Sequence, residues 1–207
     1  MNKVADWEPG PLPFSKNLGW QHWGLFGVLL DYILYYIKEG VLVEIGVGES
    51  AIFMTKAALK YNRKTYHCDI QPIKIEGPKT IPGWFKDDAF LFIGPTDGFF
   101  AQVDIPPVAV GIIDGDHTYE QVRKDFFNLL PKVVDNGYIF LHDTYPERKE
   151  QLNPNVCGDV YKLRQELEAH PDLDVFTFPN SAWDVGLTMV RKCPENRPHF
   201  QKKGITI

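Results

Sequence analysis

The chain predicts a doubly wound α/β fold: a mostly parallel sheet covered by helices on both faces and finished by an antiparallel C-terminal hairpin. Three observations carry that expectation. Five short runs of nearly unbroken apolar and β-branched residues alternate with helix-like segments, as a parallel sheet buried on both faces requires. A glycine turn, Gly46-Val47-Gly48, joins the first of these runs to the helix behind it. The last two strand-like runs are linked only by Pro179-Asn180-Ser181-Ala182-Trp183-Asp184, too short for a parallel crossover.

Residues 1–19 read as an irregular lead-in, because Pro9, Gly10, Pro11 and Pro13 break any helix. From Trp20 to Lys38, apolar residues recur at three- and four-residue intervals (Trp23, Phe26, Leu30, Ile33 or Leu34, Ile37), which predicts one helix ended by Gly40. Its aromatics are expected to pack, with the lining of a substrate mouth as the alternative. Val41–Ile45 is the first strand, Ala51–Tyr61 a helix and Thr65–Ile70 the second strand. A Pro- and Gly-rich loop runs from Gln71 to Gly83, long enough for a lid. Ala89–Ile93 and Val108–Ile113 are the third and fourth strands, with a helix beginning at Gly98 between them. Tyr119–Val134 has strong amphipathic spacing, Asn136-Gly137 reads as a turn, and Tyr138–Leu141 is the fifth strand. The segment Tyr145–Gly158 is a second candidate lid. A helix around Asp159–Ala169 then precedes the closing pair, Val175–Phe178 and Val185–Arg191. The chain thus divides into a lead-in and helix (1–40), a ligand-binding domain (41–192) and a polar tail (193–207).

With 207 residues, one domain can bury a full core. Hydrophobic residues at 44% and charged residues at 24% exclude general disorder. A net charge of −5 argues against a broad nucleic-acid footprint, which needs clustered Lys and Arg. Cys68, Cys157 and Cys193 are odd in number and widely spaced, which suits a reducing cytoplasm rather than a disulfide scaffold. The first residues carry Asp6 and Glu8 instead of a basic start and an apolar run, so no export signal is read. The longest apolar stretch, Leu25–Ile37, contains Asp31 and is too short to span a bilayer. A cytoplasmic protein without membrane contact is expected.

Chemistry concentrates at three strand ends. Gly46 and Gly48 permit a tight turn and close backbone approach to a ligand over a helix start with free N–H groups. Gly46, Gly48 and Ala51 also satisfy a dinucleotide fingerprint, so a nicotinamide oxidoreductase is a competing reading. Two carboxylates discriminate. Glu44, two residues before Gly46, would repel a pyrophosphate and attract the amino group of a ligand bearing an amino acid. Asp69, 23 positions beyond Gly46, stands where a carboxylate accepts from ribose hydroxyls. Together they favour an adenosine ligand carrying an amino acid.

The second constellation is Asp114-Gly115-Asp116-His117, after the fourth strand, and the third is His142-Asp143-Thr144, after the fifth. In an open α/β sheet both should face the crevice that holds the glycine turn. Gathered Asp and His there imply a cation or acid–base work. The plainer alternative is that Asp116 caps the following helix. His117 is the candidate base, since imidazole titrates near neutrality, and Asp116 is the second candidate. Thr96 and Asp97, after the third strand, are candidates for adenine contacts, or else cap their helix.

On these motifs the sequence resembles the class I S-adenosylmethionine (SAM)-dependent methyltransferases from Val41 to Lys192. Their first motif is an acidic residue, Gly-x-Gly and a small residue, here Glu44, Gly46, Gly48 and Ser50, with Ser50 replacing the usual third glycine. The resemblance implies a Rossmann-like seven-stranded sheet with an antiparallel last strand, and SAM as cofactor. The pairing of Asp114-Gly115-Asp116-His117 with Gly137-Tyr-Ile-Phe-Leu-His-Asp143 is similar to one branch, methyltransferase domain family 24. That branch includes small-molecule O-methyltransferases of the macrolide-sugar type and relatives labelled cephalosporin hydroxylase. It implies a divalent cation, usually Mg²⁺, on Asp114 and Asp143, with Asp114 also bordering the donor. His142 stands where relatives often have an acid, and would make a mixed His/Asp site suited to manganese or zinc. Some relatives place a catalytic His at the position of His117. The implied activity is O-methylation of a small hydroxylated molecule, with that acceptor and at most a second copy of the chain as partners. A non-catalytic SAM- or nucleotide-binding module is the remaining alternative.

Overall fold

The computed structural model describes residues 21–71, 89–179 and 185–194. The lead-in, nearly all of the loop Gln71–Gly83, the hairpin connection from Asn180 to Asp184 and the tail beyond 194 lie outside the described residues.

Seven strands form one sheet in the order β3-β2-β1-β4-β5-β7-β6. They are β1 (Val41–Ile45), β2 (Thr65–Asp69), β3 (Ala89–Ile93), β4 (Val108–Ile113), β5 (Val133–His142), β6 (Leu173–Phe178) and β7 (Leu187–Lys192). The first five are mutually parallel, while β7 runs antiparallel between β5 and β6. The helices are α1 (Gln21–Tyr36), α2 (Ser50–Tyr61), α3 (Thr96–Gln102), α4 (Tyr119–Leu129) and α5 (Tyr161–Glu168). The doubly wound, mostly parallel sheet with an antiparallel ending is what the alternation of buried runs predicts. Among the described residues no helix is long and apolar enough to cross a membrane.

Alternation along each strand makes two separate cores. Val41, Val43 and Ile45 face α3, α4 and α5, where Phe99, Phe126, Leu163 and Leu167 are fully buried. Leu42 turns the other way, to Phe26, Leu30 and Leu34 of α1 and Met54 of α2. Each fully buried Phe or Leu contributes roughly 1.5–3 kcal/mol of transfer free energy, so both helical layers are firmly seated. On α1, Trp23 and Phe26 pack as expected, whereas Tyr32, Tyr35 and Tyr36 are exposed.

Two local expectations are corrected. The helix expected to run to Val134 ends at Leu129 and continues as a 3₁₀ turn at Leu130–Lys132. Pro131 is the cause, because a proline disfavours helical geometry at the residue before it. Asn136-Gly137 does not end an element. It lies inside β5, with Asn136 at φ +62° and the pairing to β4 shifting between Val108 and Val110, as a bulge requires.

Candidate functional site

The glycine turn is fixed by its neighbours on both sides. Gly46 N–H donates to the Cys68 carbonyl (2.9 Å), and Asp114 N–H donates to the Ile45 carbonyl (2.8 Å). Gly46 adopts φ +79°, and a Cβ there would lie 2.1 Å from the Asp114 carbonyl oxygen. The loops after β1 and β4 are therefore in backbone contact, at the point where strand order switches. Gly48, by contrast, has open space where a Cβ would stand.

The two carboxylates that flank the turn hold it from different directions. Asp69 accepts from the backbone N–H of Val47 through Oδ2 and of Gln71 through Oδ1, each at 2.8 Å. Glu44 differs from its expected placement at the strand mouth. It is fully buried beneath the turn, because its place in the alternation points it toward α1 and α2. There it accepts from Ser50 Oγ and lies 2.6 Å from His67 Nδ1. His67 is a residue that the sequence reading missed. Its signal was the parallel register that sets residue 67 beside residue 44.

Thr96 and Asp97 open α3, whose cap is Pro95 rather than either of them. Thr96 Oγ1 accepts from Gln121 Nε2 (2.8 Å), and Gln121 also donates to Asp125 Oδ1 (2.9 Å). Asp97 is exposed and pairs with Lys124 at 2.6 Å. Burial pushes the Asp125 carboxyl above its ordinary range, against the lowering effect of Thr96 and Gln121.

The ends of β4 and β5 bring four titratable groups together. His117 Nε2 lies 3.0 Å from Asp143 Oδ2 and 4.0 Å from Asp114 Oδ1. His142 Nδ1 lies 3.1 Å from Asp114 Oδ1 and 3.3 Å from Asp143 Oδ2, while its ring stacks on Trp23 (centroids 5.0 Å, interplanar angle 15°). The hydrogen bond to Asp143 raises the His117 pKa, with burial opposing it. Burial alone would lower that of His142, but the Asp114 and Asp143 carboxylates outweigh it and hold it well above 6.5. Asp143 is pulled down to about 2, because its bonds to both imidazoles overcome burial. Its backbone sits at φ +60°, a left-handed conformation uncommon for a residue with a side chain.

Asp114, His117 and Asp143 can each offer one ligand atom, all within 4.8 Å of one another. Two hard oxygens and one imidazole nitrogen at this spacing fit a divalent cation, manganese or zinc as readily as magnesium. The expected set had His142 in place of His117. The structure adds His117 to this group, while His142 keeps its own contacts to Asp114 (3.1 Å) and Asp143 (3.3 Å) and stacks on Trp23. Asp116, the second candidate base, is exposed and stands outside the group. Its Oδ1 accepts from Thr118 N–H (2.7 Å), building the turn before α4, and Thr118 is the cap of that helix.

A glycine turn under a helix start, an acidic residue ending the second strand and an Asp/His cluster across the switch point are the features expected of a SAM-dependent methyltransferase of class I architecture. Residues 43–144 match the family model described as a methyltransferase domain. Solved structures agree on the fold. Rv0187 from MTB, solved with cofactor bound, has a TM-score of 0.67 at 16% identity, over 86% of this chain and 82% of its own. A Staphylococcus aureus protein assigned as a caffeoyl-CoA O-methyltransferase has a TM-score of 0.64 at 15% identity, over 81% and 83%. The MycE methyltransferase of mycinamycin biosynthesis, solved with Mg and SAH, has a TM-score of 0.61 at 19% identity. The match covers 89% of this chain but 53% of MycE. No curated protein matches the sequence.

Proposed function

We propose that the protein transfers the methyl group of SAM to a hydroxyl oxygen of a small molecule, with His117 as the proton acceptor. The observation that carries this reading is the convergence of His117, Asp143 and Asp114 beside the Gly46 turn. Donor and acceptor would thus meet within one crevice. Gly46 and Gly48 let the donor approach the backbone, Asp69 takes the ribose hydroxyls, and Thr96 and Asp97 border the adenine. Glu44 and Ser50 act beneath the turn, fixing its shape and placing negative charge under the amino end of the donor.

The acceptor oxygen attacks the sulfonium methyl in line. The new C–O bond forms as the C–S bond breaks, and the sulfur keeps the electron pair. His117 takes the hydroxyl proton, and Asp143 stabilises the imidazolium that results. The rest is proximity and exclusion of water. Two relatives support a small acceptor: the Staphylococcus aureus protein by its assignment, and MycE by its solution with Mg, SAH and mycinamycin VI.

A second reading is favoured by the ligand-capable group itself. Asp114, Asp143 and His117 would hold a divalent cation, which when bound would orient the acceptor hydroxyl and acidify it. One set of assays separates the readings. SAM and its demethylated product are titrated calorimetrically, and labelled methyl transfer is followed over a panel of catechols, flavonoids and sugars, with EDTA or with added Mg²⁺ or Mn²⁺. Turnover that persists in EDTA supports His117 as base. Turnover that needs the ion, with ion binding lost in His117→Ala, supports the cation. Binding of neither SAM nor its product would sink both.

A further inference from the structure

We infer that Asp159 is a positioning residue for His117, holding the β4–α4 loop in place from the start of α5. The inference rests on the reading of His117 as the group that receives the acceptor proton. The loop from Asp114 to Thr118 has two tethers. At its near end Asp114 N–H is bonded to the sheet through the Ile45 carbonyl. At its far end the tether is Asp159, 40 residues beyond the helix start it grips. Asp159 N–H donates to the His117 carbonyl (3.0 Å), and Asp159 Oδ1 accepts from Tyr119 N–H (2.5 Å). These two bonds bracket Thr118, so the residues on both sides of it are held by one residue.

The contact is close as well as bonded. Gly158 adopts φ +53°, and a Cβ there would stand 2.0 Å from the His117 carbonyl oxygen and 3.1 Å from the His117 Cβ. The Pro154 backbone, from the same segment, also helps to raise the His117 pKa, after the larger effect of Asp143. Thus the stretch between β5 and α5, which the sequence offers as a lid, bears directly on the backbone and imidazole of His117. Below it, Tyr119 Oη donates to Glu166 (2.8 Å) and Arg123 binds the same carboxylate, locking α5 to α4. A base that must stay 3.0 Å from Asp143 while reaching an acceptor tolerates little drift, since misplacement by about 1 Å can cost about 100-fold in rate.

The test combines hydrogen exchange with steady-state kinetics on the full chain. Asp159→Ala is expected to speed amide exchange across residues 115–120 and to lower kcat tenfold or more, with KM for SAM changed less than about twofold. Asp159→Asn keeps the acceptor oxygen and is expected to restore most of kcat. Asp159→Glu, which shifts the acceptor by one methylene, is expected to fall between them. Lys162→Ala removes only the outer partner of Asp159, 2.8 Å away, and should leave kcat unchanged. The inference is overturned if kcat in Asp159→Ala stays at the wild-type value, if KM for SAM rises in step with the loss, or if Asn rescues no better than Ala. A wild-type protein that binds SAM but transfers no methyl group overturns the catalytic reading and this inference with it. The exchange data would then still report whether the tether exists.

Discussion

Adding one methyl group at Gly46 and, separately, at Gly48 distinguishes what the fold requires from what the donor requires. At Gly46 an alanine must adopt φ +79°, which costs about 1–2 kcal/mol for an L-residue. Its Cβ also meets the Asp114 carbonyl oxygen at 2.1 Å and Gly115 Cα at 2.6 Å, where ordinary contact begins at 3.4 Å. Both neighbours are backbone, so the β4 loop must withdraw by more than an ångström, at a further cost of about 1–3 kcal/mol. For a chain of this size each kcal/mol lowers Tm by about 2–4 °C, so Gly46→Ala should lose roughly 4–20 °C. At Gly48 no atom lies within 4 Å and φ is not left-handed. Gly48→Ala should therefore hold or gain stability by about 0.4–1 kcal/mol through the unfolded chain. Its methyl group, however, occupies the space into which the donor must come, and SAM affinity should fall at least tenfold. Thermal unfolding by circular dichroism and calorimetric titration with SAM measure the two effects. Wild-type SAM affinity in Gly48→Ala, or a Tm loss equal to that of Gly46→Ala, would refute the reasoning.

Replacing His117 by Gln should lower kcat about 10²–10⁴-fold while leaving SAM affinity intact, as single-turnover and binding assays will show. Because His117 titrates above its ordinary 6.5, kcat in the wild type should rise with pH along a limb centred above 6.5. In Asp143→Asn that limb should move to lower pH, and an unmoved limb would dissociate it from His117. Asp125 has a raised carboxyl pKa in the folded state, so its stabilising contribution is complete below the unfolded value of 3.8 and is lost as pH rises through the folded one. Asp125→Asn should therefore melt higher than wild type at pH 7, with the gap closing as the pH falls toward 4; a constant gap would count against this assignment. Phe126→Ala, which opens a void in the core under α4, should cost about 3–5 kcal/mol in chemical denaturation without altering the site residues.

Much of this architecture was legible because burial on both faces leaves a strand little choice of residue. Val41–Ile45 and Val108–Ile113 were read to the residue for that reason, and the edge strand Ala89–Ile93 from its apolar run alone. The short hairpin link correctly forced β6 and β7 to be antiparallel. Where one local signal competed with another, the reading slipped. The amphipathic period carried the helix past Pro131, and Asn136-Gly137 carried turn chemistry into what is a bulge. At the site, strand ends put Asp69 against the glycine turn and Asp114, His117 and Asp143 in one cluster, because parallel topology brings these ends to one edge of the sheet. How the two imidazoles sit against the carboxylates was not legible. That arrangement involves Trp23 stacking against His142 and Gly158 pressing against His117, both contacts between segments distant in sequence. The burial of Glu44 likewise needed the β1–β2 register, which sets His67 beside it.

The placement of β7 has a consequence for how the protein reaches its active form. Leu187 pairs with His142, and Thr188 Oγ1 donates to Thr144 Oγ1 at 2.7 Å across a separation of 44 residues. The backbone that presents Asp143 therefore stays an open sheet edge until β7 has been made and inserted between β5 and β6. Pairings this distant close slowly, and an unpaired edge is available to other chains in the meantime. Nascent chains stalled before residue 187 should bind chaperones and lack the Asp143–His117 contact, however complete their first five strands. Catalytic competence would then appear in a single late step of synthesis.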